Sequence, residues 1–186
     1  MTSVFKRVVI KLLKTLRLSL YDFLSDRKIT CKKIQPLLVK GNGNIEIESN
    51  VTFGVENSNY FYSSYAYIEA RGEKSLVKIG KSCVFNNSIT IIADHDNIII
   101  GENCIFGTNV EILNSNFHKL YKQDRIKRDK VIIGNNVFIG NNVKILKGTI
   151  IEDNVTIANG SIVCSQIPMG TIAAGIPAKV LVYEND

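Results

Sequence analysis

The chain contains no tryptophan, two histidines, three prolines and four cysteines in 186 residues. Each scarcity excludes something. With three prolines and 13 glycines the composition is neither collagen-like nor that of a low-complexity disordered chain. Cys31, Cys83, Cys104 and Cys164 lie far apart, without a CxxC pair or a ligand-like spacing to histidine. They therefore form no disulfide framework and no zinc site, and read as reduced small hydrophobes of a cytoplasmic protein that needs no metal. Long apolar runs are missing as well. In "MTSVFKRVVIKLLKTLRLSLYDFLSDRK" a lysine or arginine interrupts the apolar residues every three or four positions. That leaves no signal-peptide core and no membrane-spanning stretch.

What is present is a basic chain, net charge +6. The excess sits at residues 6–40 and 119–130, which favours anionic partners. Nucleic acid is not expected among them, because the basic stretches carry no interleaved aromatic platform beyond Tyr121. In a separate N-terminal segment, residues 1–40, Val4, Val8, Leu12, Leu16 and Leu20 recur every four positions. Phe5, Val9, Leu13 and Phe23 widen that stripe, with Arg7, Lys11 and Lys14 opposite, so a helix is predicted over 4–24. Two uses of it stay open: packing on its own domain or a neighbouring subunit, or lying on an anionic membrane surface.

From Ile133 the chain reads IGNNVF, IGNNVK, ILKGTI, IEDNVT, IANGSI. Isoleucine returns at 133, 139, 145, 151 and 157, and a small residue follows each by four places, from Val137 to Ser161. A period of six is neither helical nor simple strand alternation. It suits a short strand plus a turn, three of which close a triangular coil of 18 residues. Stacked coils then pair as parallel strands about 4.8 Å apart, which makes an all-β solenoid of residues 41–186. Earlier echoes of the rhythm (Ile79/Phe85/Ile91 and Ile100/Phe106/Ile112) extend it. Between them the spacing exceeds one coil by three residues, and after Ile112 by fifteen; the excesses hold His95 and His118 respectively. His95 should therefore lie near the same corner as the long excursion, 113–130, and about one coil away.

Over residues 41–182, with "AAGIPAKVL" as the closing segment, the pattern resembles the hexapeptide-repeat acyltransferases. The resemblance implies a left-handed parallel β-helix, a hand that periodicity does not decide. The stretch "IGENCIFGTNVEILNSNFHKLY" is similar to the segment that carries the catalytic histidine in maltose- and galactoside-type and surface-polysaccharide O-acetyltransferases. That implies a homotrimer binding acetyl-CoA in grooves between subunits, and His118 as the base for an acceptor hydroxyl. Asn87 matches an asparagine that contacts the acceptor or the developing oxyanion. His95, Asp94, Asn116 and Lys119 are candidate substrate contacts. Phe138, Gly140, Ala158, Gly160, Ala174 and Lys179 are the candidates for acetyl-CoA.

There are departures from the family pattern. Asn116 stands where an aspartate is usual, so the partner orienting His118 is left among a carbonyl, Asp94, Asp96 and Glu111. Phe138 replaces a common tryptophan. Cys164 and Ser165 replace a Thr-Lys pair, so Lys179 or Lys147 would supply the cationic contact. The basic residues Lys119, Lys122, Arg125, Lys127 and Arg128 either border the acceptor, hold phosphates, or are simply solvated.

The expected function is acetylation of a sugar hydroxyl in a surface polysaccharide or its precursor, in the cytoplasm at the inner face of the membrane. N-acetylation of an amino-sugar nucleotide and a non-catalytic scaffold are the alternatives. A three-histidine carbonic anhydrase site is hard to build from two histidines.

Overall fold

A computed structural model describes residues 2–122 and 125–183. Its hexads fold as the repeat demands. Twenty short strands follow helix α1, Thr2–Leu24, and gather into three sheets that form the sides of a prism. We name them faces A, B and C, of eight, six and six strands. Each turn of the chain visits A, then B, then C. Register repeats every 18 residues where the rhythm is strict: Ile133 pairs with Ile151, Ile139 with Ile157, and Ile145 with Val163. Neighbouring strands are parallel except at the end, where Ala178–Tyr183 folds back antiparallel on Thr171–Gly175 of face A.

The inward residues form one continuous core, buried except in the first coil, where Ile45 and Ile47 are half-buried. Phe53, Phe85 and Phe106 stack in it, with ring centroids 4.7 and 4.5 Å apart. That is close to the spacing of adjacent parallel strands, about 4.8 Å, so identical residues in consecutive coils meet face to face. The asparagines of the hexads close the corners. Asn136, Asn142 and Asn154 have φ of 56–59°, a conformation asparagine tolerates better than bulky residues. Their side chains also bond from coil to coil: Asn109 Nδ2 donates to Asn142 Oδ1 at 3.0 Å, and Asn136 Nδ2 to Asn154 Oδ1 at 3.2 Å.

One boundary and one excursion differ from the sequence expectation. The prism begins at Lys32, not at residue 41: Lys32–Lys33 pairs with Thr52–Phe53, and Leu37–Lys40 pairs with residues 66–69. This first coil has no hexad signature, because Leu37 and Val39 alternate at period two like any strand. A further excursion, 54–65, lies between faces A and B, so Phe53 pairs with Phe85, 32 positions on. The chain between α1 and the prism also occupies the free edge of Leu37–Lys40, the first strand of face B. Asp26 N–H donates to Val39 O at 2.9 Å, and Ser25 Oγ accepts from Val39 N–H at 3.0 Å.

Helix α1 does pack on its own domain, but with the side opposite to its apolar stripe. Arg17 donates to the carbonyls of Phe61 and Ser64 at 3.0 and 2.7 Å, and Lys14 Nζ lies 2.9 Å from Glu56. Asp22 pairs with Lys33 at 2.5 Å, and Tyr21 packs on Tyr65. The stripe itself faces outward.

Candidate active site

Three consecutive coils carry extra residues at the corner between faces B and C. These are the turn around Gly72–Ser75, the turn at His95, and the long loop after Glu111–Leu113. Register stacks them, since Arg71 pairs with Asp94 and Ile92 with Leu113. His95 thus lies at the corner of the long loop, one coil below it, as its spacing predicts.

The loop leaves the prism as a narrow ribbon. Ser115 and Arg128 form an antiparallel bridge, Asn116 N–H donates to Lys127 O at 3.1 Å, and Asp129 N–H to Asn114 O at 3.0 Å. The fastening at its base is Asp94, which is 5% exposed. Its carboxylate accepts from Ser115 Oγ at 2.8 Å, Arg128 Nε at 2.8 Å and His95 Nδ1 at 2.7 Å. Its backbone N–H donates to Asn114 Oδ1 at 2.7 Å. Burial alone would raise the Asp94 pKa. The hydrogen bonds from His95, Ser115 and Arg128, with the guanidinium charge, outweigh that and hold it below the ordinary 3.8.

A second fastening holds the loop from face B. The Arg71 guanidinium lies over the Phe117 ring, 4.7 Å from its centroid, and is itself held by Glu69 at 2.7 Å. Phe117 takes a φ of 58°, with its N–H on Ser115 Oγ, and the next residue, His118, projects into solvent. An exposed imidazole on an anchored loop is accessible to an acceptor. At the same corner the returning strand of the loop forms a cleft of about 730 Å³ with Arg125, Lys127, Arg128, Lys147, Cys164 and the single acid Asp129 in its wall. That wall is largely cationic.

The remaining candidates separate into groups. Asp94 and His95 join the corner, but as a pair: the carboxylate faces His95, Ser115 and Arg128, and Glu111 is taken by Lys144 at 2.6 Å. Neither carboxylate orients His118. Asn116 is half-buried in the ribbon and Lys119 is exposed beyond it.

Asn87 departs from the donor role the resemblance implies. It is fully buried, its Oδ1 accepts from Val55 N–H at 3.1 Å, and its Nδ2 reaches the carbonyls of Val55, Ser58 and Asn59. With every amide valence spent on the 54–65 excursion, it pins that excursion to the prism and has no N–H left for an acceptor.

The six cofactor candidates share one region, face A and its corner with B. Phe138 is half-exposed in Phe138–Ile139, and Gly140 follows it. Ala158 and Gly160 follow Thr156–Ile157, and Ala174 and Lys179 lie in the final hairpin. Phe138 pairs with exposed Ile105, giving an apolar ladder on the outer side of face A. Gly140 has a packing reason of its own, since a Cβ there would come within 2.4 Å of Asn159 Oδ1. Face A is the side of the prism opposite the B/C corner. One chain therefore holds the His118 loop and the face-A ladder apart. Of the contacts that set the loop, Arg71 and Ser115 are not among the sequence candidates, and Arg128 is there only as a basic loop residue, not as a partner of Asp94. Only coil register could reveal them, since they lie 23, 21 and 34 positions from Asp94 in sequence.

Among the described residues no helix is long and apolar enough to cross a membrane, and no group of three or more His, Cys, Asp or Glu side chains is placed to hold a metal. Residues 130–165 match the bacterial transferase hexapeptide (six repeats) family, and residues 97–113 the hexapeptide repeat of succinyl-transferase. No curated protein matches the chain.

Among solved structures it is similar to the polySia-specific acetyltransferase NeuO, with 26% identity over 79% of this chain and 65% of that one, at a TM-score of 0.67. It is also similar to a galactoside acetyltransferase in complex with coenzyme A, with 27% identity over 77% of this chain and 66% of that one, TM-score 0.60. The polysialic acid O-acetyltransferase OatWY shares the fold, with 23% identity over 83% and 82% of the two chains, TM-score 0.58. The chain thus spans just under two thirds of the length of the first two. Two segments of the chain, 130–165 and 97–113, thus carry hexapeptide repeats, and its fold is the left-handed parallel β-helix of the acetyltransferases it resembles.

Proposed function

We propose that this protein is an acetyl-CoA-dependent O-acetyltransferase of a sugar hydroxyl, in a surface polysaccharide or its precursor, working as a homotrimer. The observation that carries this reading is the anchored loop at the B/C corner, which exposes His118 and whose returning strand walls a largely cationic cleft. The likeness to a galactoside acetyltransferase with coenzyme A and to a polySia-specific acetyltransferase supports the donor and the acceptor class.

In this reading the thioester supplies an activated acetyl group, and the protein supplies position and a base. His118 takes the proton of the acceptor hydroxyl as the oxygen attacks the thioester carbonyl. The imidazolium then returns it to the departing CoA thiolate, so no acyl-enzyme is required. The half-exposed Phe138 and the neighbouring small residues offer an apolar, open surface on face A that suits a pantetheine chain. Lys147, Arg125 and Lys127 suit phosphates or an acidic sugar. Because the loop and face A of one chain lie apart, each site would draw its base from one subunit and its face A from the next. Glu69 and Arg71 hold Phe117, and Asp94 holds the ribbon, so that His118 keeps its place.

His118→Ala is expected to lower kcat for CoA release by about 10²–10⁴-fold, the usual share of a general base, with the circular dichroism spectrum unchanged. Wild-type turnover in that variant would overturn the reading. An acetyl product stable to mild base would replace the ester with the amide of an amino sugar.

A further inference from the structure

The sequence leaves two uses for helix α1 open, and the structure makes the choice sharper by docking it the unusual way round. A helix that merely completes its own domain buries its apolar stripe and leaves its charges in water. Here the side that meets the prism is half-buried and mixes Ile10, Leu18 and Tyr21 with Lys14, Arg17 and Asp22. Lys14, Arg17 and Asp22 engage Glu56, the carbonyls of Phe61 and Ser64, and Lys33. The stripe is left outward, with Phe5 72%, Leu12 58%, Leu16 57% and Phe23 84% exposed. Ten large apolar residues of α1 are exposed in all, a contiguous patch of the size that marks an interaction surface.

Charge says what covers it. The helix carries Lys6, Arg7, Lys11, Lys14 and Arg17 against the single acid Asp22. Lys14, Arg17 and Asp22 are occupied by the docking contacts. Lys6, Arg7 and Lys11 are exposed, and among the described residues they form no ion pair. A second copy laid on the stripe would leave these cations, which lie on other sides of the helix, without partners. An anionic bilayer complements both halves of the pattern, taking the apolar stripe into its interface while the long basic side chains reach the headgroups.

We infer that α1 holds the enzyme peripherally on an anionic membrane, with its stripe in the bilayer interface and the prism standing off it through the Lys14, Arg17 and Asp22 contacts. An acceptor carried on a lipid would then meet the protein on that surface.

The test is co-sedimentation of the full-length protein with phosphatidylcholine vesicles with and without phosphatidylglycerol, alongside its oligomeric state by light scattering. The wild type binds the phosphatidylglycerol vesicles and leaves them as salt rises. Leu12→Glu with Leu16→Glu removes binding by at least about tenfold and keeps the wild-type oligomeric state, since both positions are exposed and the docking contacts remain. Lys6→Glu with Lys11→Glu, which leaves the stripe intact, lowers binding roughly 20-fold or more through the charges alone, each being worth about fivefold at an anionic surface. Absence of wild-type binding to either vesicle, or equal binding by the leucine variant, would overturn the inference. So would a change of oligomeric state in the leucine variant without wild-type vesicle binding, which would give the stripe to a second copy. Sedimentation reads membrane binding whether or not acetyl transfer is the protein's reaction.

Discussion

Replacing Asp94 with alanine should free the His118 loop while leaving the prism folded. The buried carboxylate accepts three hydrogen bonds, and two of the donors, Ser115 and Arg128, lie on the two strands of the ribbon. Hydrogen bonds to a charged group contribute about 1.5–3 kcal/mol each. The terms do not add fully here. The side chain of Arg128 is 32% exposed and that of His95 52%, so both regain water when the carboxylate is lost. About 3 kcal/mol of local stability is a reasonable total for closing the ribbon, which is roughly two decades in an opening constant.

The reporters are the amides of Asn116 and Asp129, whose partners are Lys127 O and Asn114 O across the ribbon. Hydrogen exchange at both should accelerate by about 100-fold in Asp94→Ala. Amides of the inner strands, such as Ile139 and Ile145, should keep their protection. Asp94→Asn keeps the shape and an acceptor but not the charge, and should fall between. Wild-type exchange at Asn116 and Asp129 in the alanine variant would refute the clamp.

Other consequences follow from the same contacts. The Asp94 pKa is depressed by folding, so its contribution is present above the ordinary carboxylate value and is lost only as pH falls through the lower folded value. The ribbon should therefore stay closed from neutrality down to about pH 4 and open below it, visible as a shift of the Asn116 and Asp129 amide resonances. Arg71→Ala removes the cation over Phe117 and is expected to lower kcat by up to about tenfold without changing the urea midpoint, since the pair is worth about 0.5–2 kcal/mol to loop order alone. Phe85→Ala opens a cavity between two stacked rings and should reduce stability by about 3–5 kcal/mol in urea denaturation; a loss below about 1 kcal/mol would mean that the stack is not tightly packed.

The prism was legible because its inward residues recur at a fixed interval, and a turn of three hexads leaves little freedom in where Ile133, Ile139 and Ile145 can point. The excursion at His118 was legible for the same reason, as a break in that interval. The first coil escaped because Leu37 and Val39 obey only the alternation of an ordinary strand. The partners of Asp94 escaped because Ser115 and Arg128 become its neighbours only after coil register is set and a loop has returned. For Asn87 a family match pointed to chemistry, but the unread 54–65 excursion uses its amide completely. In α1 the stripe is plain in the residues, yet periodicity marks only that two sides differ, and which side meets the prism depends on Glu56 and Lys33 far along the chain.

A coil that pairs with the coil before and after it has no intrinsic reason to stop. Its first turn presents unpaired strand edges, the kind of surface on which another chain can add and grow a fibre. Ser25 and Asp26 take up the hydrogen-bonding groups of Val39 on that edge, and at the far end the returning strand Ala178–Tyr183 runs antiparallel, a direction no further coil could continue. The segment that carries α1 is therefore also a terminator. Chains clipped after residue 28 would lose the membrane helix and the edge guard together, and their failure in solution would be self-association rather than unfolding.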